Sequence, residues 1–269
     1  VAEAVIAVVA WWYAVGVRRV WRHAGVGLGV RRWEVAAFFA GLVATGVALS
    51  PPVDGAADRS LTAHMVQHLL LMTVAAPLLV VGEPIPPLVW ALPGRLRRRA
   101  ARWTRAINRS AMGGRWYLWA VVALVTSTAA MWVWHVPAFY DAALSNAMLH
   151  GLEHASLLGT SALLWWVAAG ARRRSSYGPG VLVVFLTTLP ATALGAGLAL
   201  TGHPWYQWYV GHGFHGRLEA ALNDQQVAGA LLWGSACVPS LLGACLLFAA
   251  WLAHADKVSP AAPAQVPIQ

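Results

Sequence analysis

His64, His68 and Met72 recur every four residues in the stretch LTAHMVQHLLLM. That spacing puts all three on one face of a helix, each about 6 Å further along its axis. Met131 and His135 repeat the interval, as do His150 and His154, with Glu153 beside them. Imidazole suits copper, zinc, iron and nickel, and thioether sulfur adds a preference for cuprous copper. Ligands one turn apart on facing helices are how helical bundles build internal metal sites. The candidate ligands are therefore His64, His68, His135, His150, His154, Met72 and Met131. Glu153 is either a ligand or a group that orients one. Gln67, Asp141, Asp224 and Gln225 are further candidates for holding ligands in place.

The elements that must position these groups are set by composition. Of 269 residues, 59% are hydrophobic and only 11% charged, and mean hydropathy is +0.58. Soluble domains carry about 25% charged residues, so the expected fold is all-α, a polytopic integral membrane protein. Sixteen tryptophans suit a chain with many membrane–water boundaries. Seven apolar stretches approach or reach the roughly 20 residues that cross a bilayer. They lie near 2–17, 33–50, 61–82, 116–134, 147–169, 179–202 and 227–253. A seven-span membrane domain over 1–255 follows, with a Pro/Ala-rich tail at 256–269 expected to be disordered. The first apolar run lacks the basic leader of a cleavable signal peptide. Cys237 and Cys245, without CxxC spacing, are expected to be inert buried thiols.

Charge orients the bundle. All but two of the 19 basic residues fall in alternate loops or the C-terminal tail; only Arg59 and Arg217 lie on the other side. By the positive-inside rule the N-terminus is then outside and the C-terminus cytoplasmic. The same distribution excludes nucleic acid as the partner of this net +9 chain. Its most basic loop, RLRRRAARWTRAINRS, reads instead as an amphipathic helix at the lipid surface. Of ten histidines, only His23 and His254 fall on the cytoplasmic side. The rest gather at the outer face, where His203, His212 and His215 read as interfacial polar residues in a long loop suited to forming a lid.

The segments HMVQHLLLMTVAAPLLVVGEP, WHVPAFYDAAL, HGLEHASLLGTSALLWW and DQQVAGALLW together resemble the CtaG family of cytochrome c oxidase assembly factors, in its multi-span bacterial form. They occur in family order between about residues 61 and 233. The resemblance implies a multi-pass protein of the bacterial plasma membrane. It also implies a role in maturing a haem–copper oxidase, with copper delivery to the oxidase subunits. His64, Gln67, His68, His135, Asp141, His150, Glu153, His154, Asp224 and Gln225 occupy the family's motif positions. One departure is Leu232, where the family often has methionine before the tryptophan. Two other chemistries stay open from the residues themselves. Zinc at the same cluster would suit a membrane hydrolase with Glu153 as general base, although no HExxH is present. Histidines on facing helices would also suit haem.

Overall fold

The computed structural model describes residues 2–112, 115–173 and 177–258, and their regular structure is entirely helical, with no strand among them. The expected tail lies at 259–269, outside the described residues, apart from its first three positions, which end the last helix. Helix α1 covers Ala2–Ala24 and α2 Arg32–Ala48. Helix α3, Pro51–Ala57, follows a break at Leu49–Ser50 where the axis bends by 50°. The pair Pro51–Pro52 explains the break, since neither residue has an N–H to continue α2, while Pro is accommodated in a first turn.

Helix α4, Leu61–Leu69, runs through a π-helical turn at Leu70–Ala75 into α5, Ala76–Val81. Pro77 sits just beyond that turn and lacks the donor a regular helix needs there. The Thr73 hydroxyl bonds the Leu69 carbonyl at 2.7 Å within the turn. Helix α6 spans Ile85–Ala91 and α7 Gly94–Met112. Helix α8 spans Trp116–Trp134, α9 Pro137–Ser145 and α10 Ala147–Arg173. Helix α11 covers Tyr177–Leu200 and α12 Leu218–Val258.

Among the described residues, α1, the α4–α5 unit and α8 are long and apolar enough to cross a membrane. The bent α2–α3 pair makes a fourth if it is one span. Glu153 and His154 lower the hydropathy of the N-terminal half of α10, so that helix falls short on composition. The chain is thus an all-helical protein with membrane character.

Its principal core is where α4, α8, α9, α10, α11 and α12 meet. There Leu61, Met65, Met131, Tyr140, Leu157 and Leu198 are buried together. A second cluster joins α1 to α2 through Tyr13, Val17, Phe38 and Leu42, and the buried Tyr13 hydroxyl donates to the Gly82 carbonyl at 3.0 Å. Helices α11 and α12 approach most closely at Gly195 and Gly229. Cys245 is exposed, contrary to the buried thiol expected of it, because its face of α12 turns away from the bundle. The side chain of Cys237 lies outside the described set.

Candidate metal centre

Three helix ends converge on one buried group of rings. Helix α4 contributes His64 and His68, and α8 ends at His135. Helix α10 supplies His150, Glu153 and His154. Ring centroids of His64 lie 4.3 Å from His68, 5.1 Å from His150 and 5.8 Å from His154. His68 is 5.3 Å from His154 and 6.1 Å from His135. Each of His64, His150, Glu153 and His154 offers a ligand atom, and these atoms lie within 4.8 Å of one another. All the rings are buried except that of His150, which is 12% exposed.

Hydrogen bonding leaves the inward-facing atoms unsatisfied. His135 Nδ1 donates to the Met131 carbonyl at 2.7 Å, and its Nε2 is buried without a partner. The same is true of both ring nitrogens of His68, of His154 Nε2 and of both Glu153 carboxylate oxygens. His68 Nε2 and Glu153 Oε1 stand 3.5 Å apart. The Tyr209 hydroxyl donates to the Ala57 carbonyl at 2.9 Å and lies 2.9 Å from His64 Nδ1. The Tyr140 hydroxyl reaches the same nitrogen, and His64 Nε2 faces His150 Nε2 at 3.4 Å. Buried polar atoms are nearly always paired, and an unpaired ring nitrogen and an unpaired carboxylate are each costly in a dry site. A cation relieves both costs. Two nitrogens about 2.0–2.1 Å from one tetrahedral ion stand roughly 3.4 Å apart. The donor set and its spacing therefore fit a metal ion held through nitrogen and oxygen.

The thioethers are placed differently. Met131 is buried in the principal core and Met72 packs against it. Both line an apolar cavity of about 90 Å³ beneath the rings, beside Leu69, Leu164 and Trp165. Gln67 points away toward the α2–α3 break, where its amide donates to the Ala48 carbonyl at 2.8 Å and to Asp54 Oδ1 at 3.1 Å.

The remaining polar candidates build the enclosure. Asp141 accepts from the Gln207 and Trp208 amides at 3.2 and 3.3 Å and so pins the outer loop to α9. Burial raises its carboxyl above the ordinary range, with those two amides pulling the other way. Gln225 accepts from the Trp205 amide at 2.6 Å and donates to the His203 carbonyl at 3.3 Å. The Tyr206 hydroxyl donates to the His135 carbonyl at 3.0 Å. The loop at 201–217 is thereby fastened beside the rings. His203, His212 and His215 are exposed on it and do not join the cluster; His212 stacks on Trp208 at 4.0 Å.

Asp224 lies within α12, which begins at Leu218, ahead of the apolar stretch at 227–253. Its carboxylate serves another helix. It accepts from the Ser60 hydroxyl at 2.8 Å and the Leu61 amide at 2.6 Å, capping α4 directly above His64. Loss of a capping side chain costs about 1 kcal/mol. Asp224→Ala is therefore expected to lower the thermal midpoint by about 3 °C, read by unfolding in detergent. An unchanged midpoint would mean that the cap does not hold α4.

Three residues at the site had not been singled out from sequence. Tyr140 and Tyr209 place their hydroxyls on His64 Nδ1, each at 2.9 Å. Asp54 Oδ1 stands 4.0 Å from His150 Nδ1. Tyr140 had a signal, since it precedes Asp141 inside WHVPAFYDAAL. Tyr209 and Asp54 had none, because turns that are not periodic carry them to the site.

Comparison with known proteins gives one match. A family model described as cytochrome c oxidase caa3 assembly factor (Caa3_CtaG) matches residues 11–254. No curated protein and no solved structure matches the chain.

Proposed function

Since the chain belongs to the family of cytochrome c oxidase caa3 assembly factors, we propose that it binds copper at the buried ring cluster and aids its insertion into a haem–copper oxidase. The observation that carries this reading is the set of unpaired, inward-facing atoms on His68, His135, Glu153 and His154, beside two imidazole Nε2 atoms 3.4 Å apart. His64, His150, Glu153 and His154 form the inner ligand group, with His68 and His135 against it. Met72 and Met131, one layer deeper, would add thioether donors with a preference for cuprous copper. A carrier has to release its cargo, and a lid held by a few hydrogen bonds from Gln225, Asp141 and Tyr206 suits opening toward a partner. The role is assembly rather than catalysis, with oxidase subunits as partners.

The membrane arrangement we propose is the seven-span one, in the bacterial plasma membrane, N-terminus outside and C-terminus cytoplasmic. The asymmetry of the arginines supports it. The metal cluster then faces the outer side, where the lid also lies.

Zinc is the second reading, favoured by one feature: the inner group offers only nitrogen and carboxylate donors. Metal analysis of the purified full chain separates the two. Copper at about one or two ions per chain is expected from the ligand count. His68→Ala and His154→Ala are expected to lower both that content and oxidase activity in the host membrane. Full copper occupancy in both variants would overturn the assignment, and zinc in its place would select the second reading.

A further inference from the structure

At the end of the bundle opposite the histidines, α6 and α7 enclose a concavity of about 350 Å³. Arg97, Arg98, Arg102 and Arg105 line one wall; Val89 and Trp90 form the floor. No carboxylate lines it, and among the described residues none of the four arginines makes an ion pair with an acid. The groove is built rather than incidental. Arg19 of α1 donates to the carbonyls of Trp90, Ala91 and Leu92 at 3.1, 2.7 and 3.3 Å, closing the end of α6. The Arg97 guanidinium lies over the Trp90 ring, 4.8 Å from its centroid, a cation–π contact that holds both in place.

Helix α7 also places this groove relative to the bilayer. Leu96, Trp103 and Ile107 recur at intervals of seven and four residues and are all exposed. They form an apolar stripe on the face opposite Arg98, Arg102 and Arg105. With that stripe in the acyl region, the arginine face stands at the level of the lipid phosphates. Guanidinium forks pair bidentately with phosphate oxygens, and four unpaired guanidiniums match two phosphodiesters.

We propose that the α6–α7 groove is a specific site for the headgroup of an anionic phospholipid, with preference for a lipid carrying two phosphates. The test is native mass spectrometry of the full chain in detergent, titrated with cardiolipin, phosphatidylglycerol, phosphatidylcholine or inorganic phosphate. In the wild-type protein one cardiolipin is expected to bind saturably and to displace phosphatidylglycerol. The double variant Arg98→Gln/Arg102→Gln is expected to weaken cardiolipin about thirtyfold. Arg95→Gln/Arg99→Gln removes the same charge from positions outside the groove and is expected to cost less than about threefold. Equal losses in the two double variants would overturn the site in favour of general attraction. A wild-type protein with no preference between cardiolipin and phosphatidylglycerol would also overturn it, whether or not the variants fold. Displacement of cardiolipin by millimolar inorganic phosphate would assign the groove to a soluble anion and sink the lipid reading.

Discussion

Glu153→Gln is expected to weaken metal binding by about a hundredfold while leaving the metal-free protein as stable as before, or more so. Glu153 is fully buried, neither carboxylate oxygen has a hydrogen-bond partner, and the nearest basic atom is His68 Nε2 at 3.5 Å. Without a cation, that carboxyl is a cost to the fold: an unsatisfied buried polar group destabilises by about 1–3 kcal/mol. A neutral amide of the same shape is cheaper to bury. With a cation present the balance reverses, because Glu153 is the acidic member of the inner group. Losing a group that holds or orients a metal costs about 10–100-fold in affinity, and loss of the charge itself belongs at the upper end. Competition with a chromophoric chelator reads the affinity, and thermal unfolding after chelation reads the apo stability. A residue that merely packed would give the opposite pattern, unchanged affinity and a less stable protein.

The spacing of side chains along helices was the legible part of this site. His64 with His68, and His150 with His154, share faces because α4 and α10 are regular where they carry them. His135 joins them because α8 ends at the same height. Met72 departs from the pattern for a physical reason. Four-residue spacing assumes 3.6 residues per turn, and the π-helical turn at Leu70–Ala75 adds a residue to the loop of each hydrogen bond. Met72 therefore swings off the His68 face and into the apolar core. Pro77 hinted at an irregularity in this span, but not at its register.

Hydropathy understates the length of two helices, α1 and α12. It marks where apolar side chains stop, whereas a helix continues as long as its hydrogen bonds do. Helix α12 extends upward through LEAALNDQQ to Leu218, nine residues above the expected start near 227. That extension carries Asp224 inside α12, from where its carboxylate caps α4. Helix α1 likewise runs on to Ala24, so Arg19 sits on a helix and closes α6 instead of lying in a loop. The contacts of Tyr209 and Asp54 depend on how irregular segments fold back over long sequence separations, 145 residues in the case of Tyr209 and His64. No periodicity records such a return.

Gly229→Leu is expected to abolish folded protein, and Gly229→Ala to lower the thermal midpoint by at least about 5 °C. A Cβ on Gly229 would lie 2.5 Å from the Ala199 nitrogen and 2.6 Å from the Gly195 oxygen. One on Gly195 would lie 2.7 Å from the Trp233 nitrogen. These are backbone atoms of helices, which cannot rotate aside as a side chain can, so α11 and α12 must part. Small residues allow such contact where apolar burial alone gives helices little reason to associate in lipid. The consequence reaches the metal centre without touching a ligand. Helix α12 carries Asp224, which caps α4 above His64, and Gln225, which holds the lid at Trp205 and His203. Shifting α12 loosens both, so Gly229→Ala is expected to reduce metal affinity as well as stability. Gly234→Ala is the control on the same helix, since nothing lies within 4 Å of its added Cβ. There the better helix propensity of alanine is expected to leave stability unchanged or slightly raised. If both alanine variants unfold at the wild-type temperature, the crossing at Gly195 and Gly229 is looser than described, and the lid is not held through it.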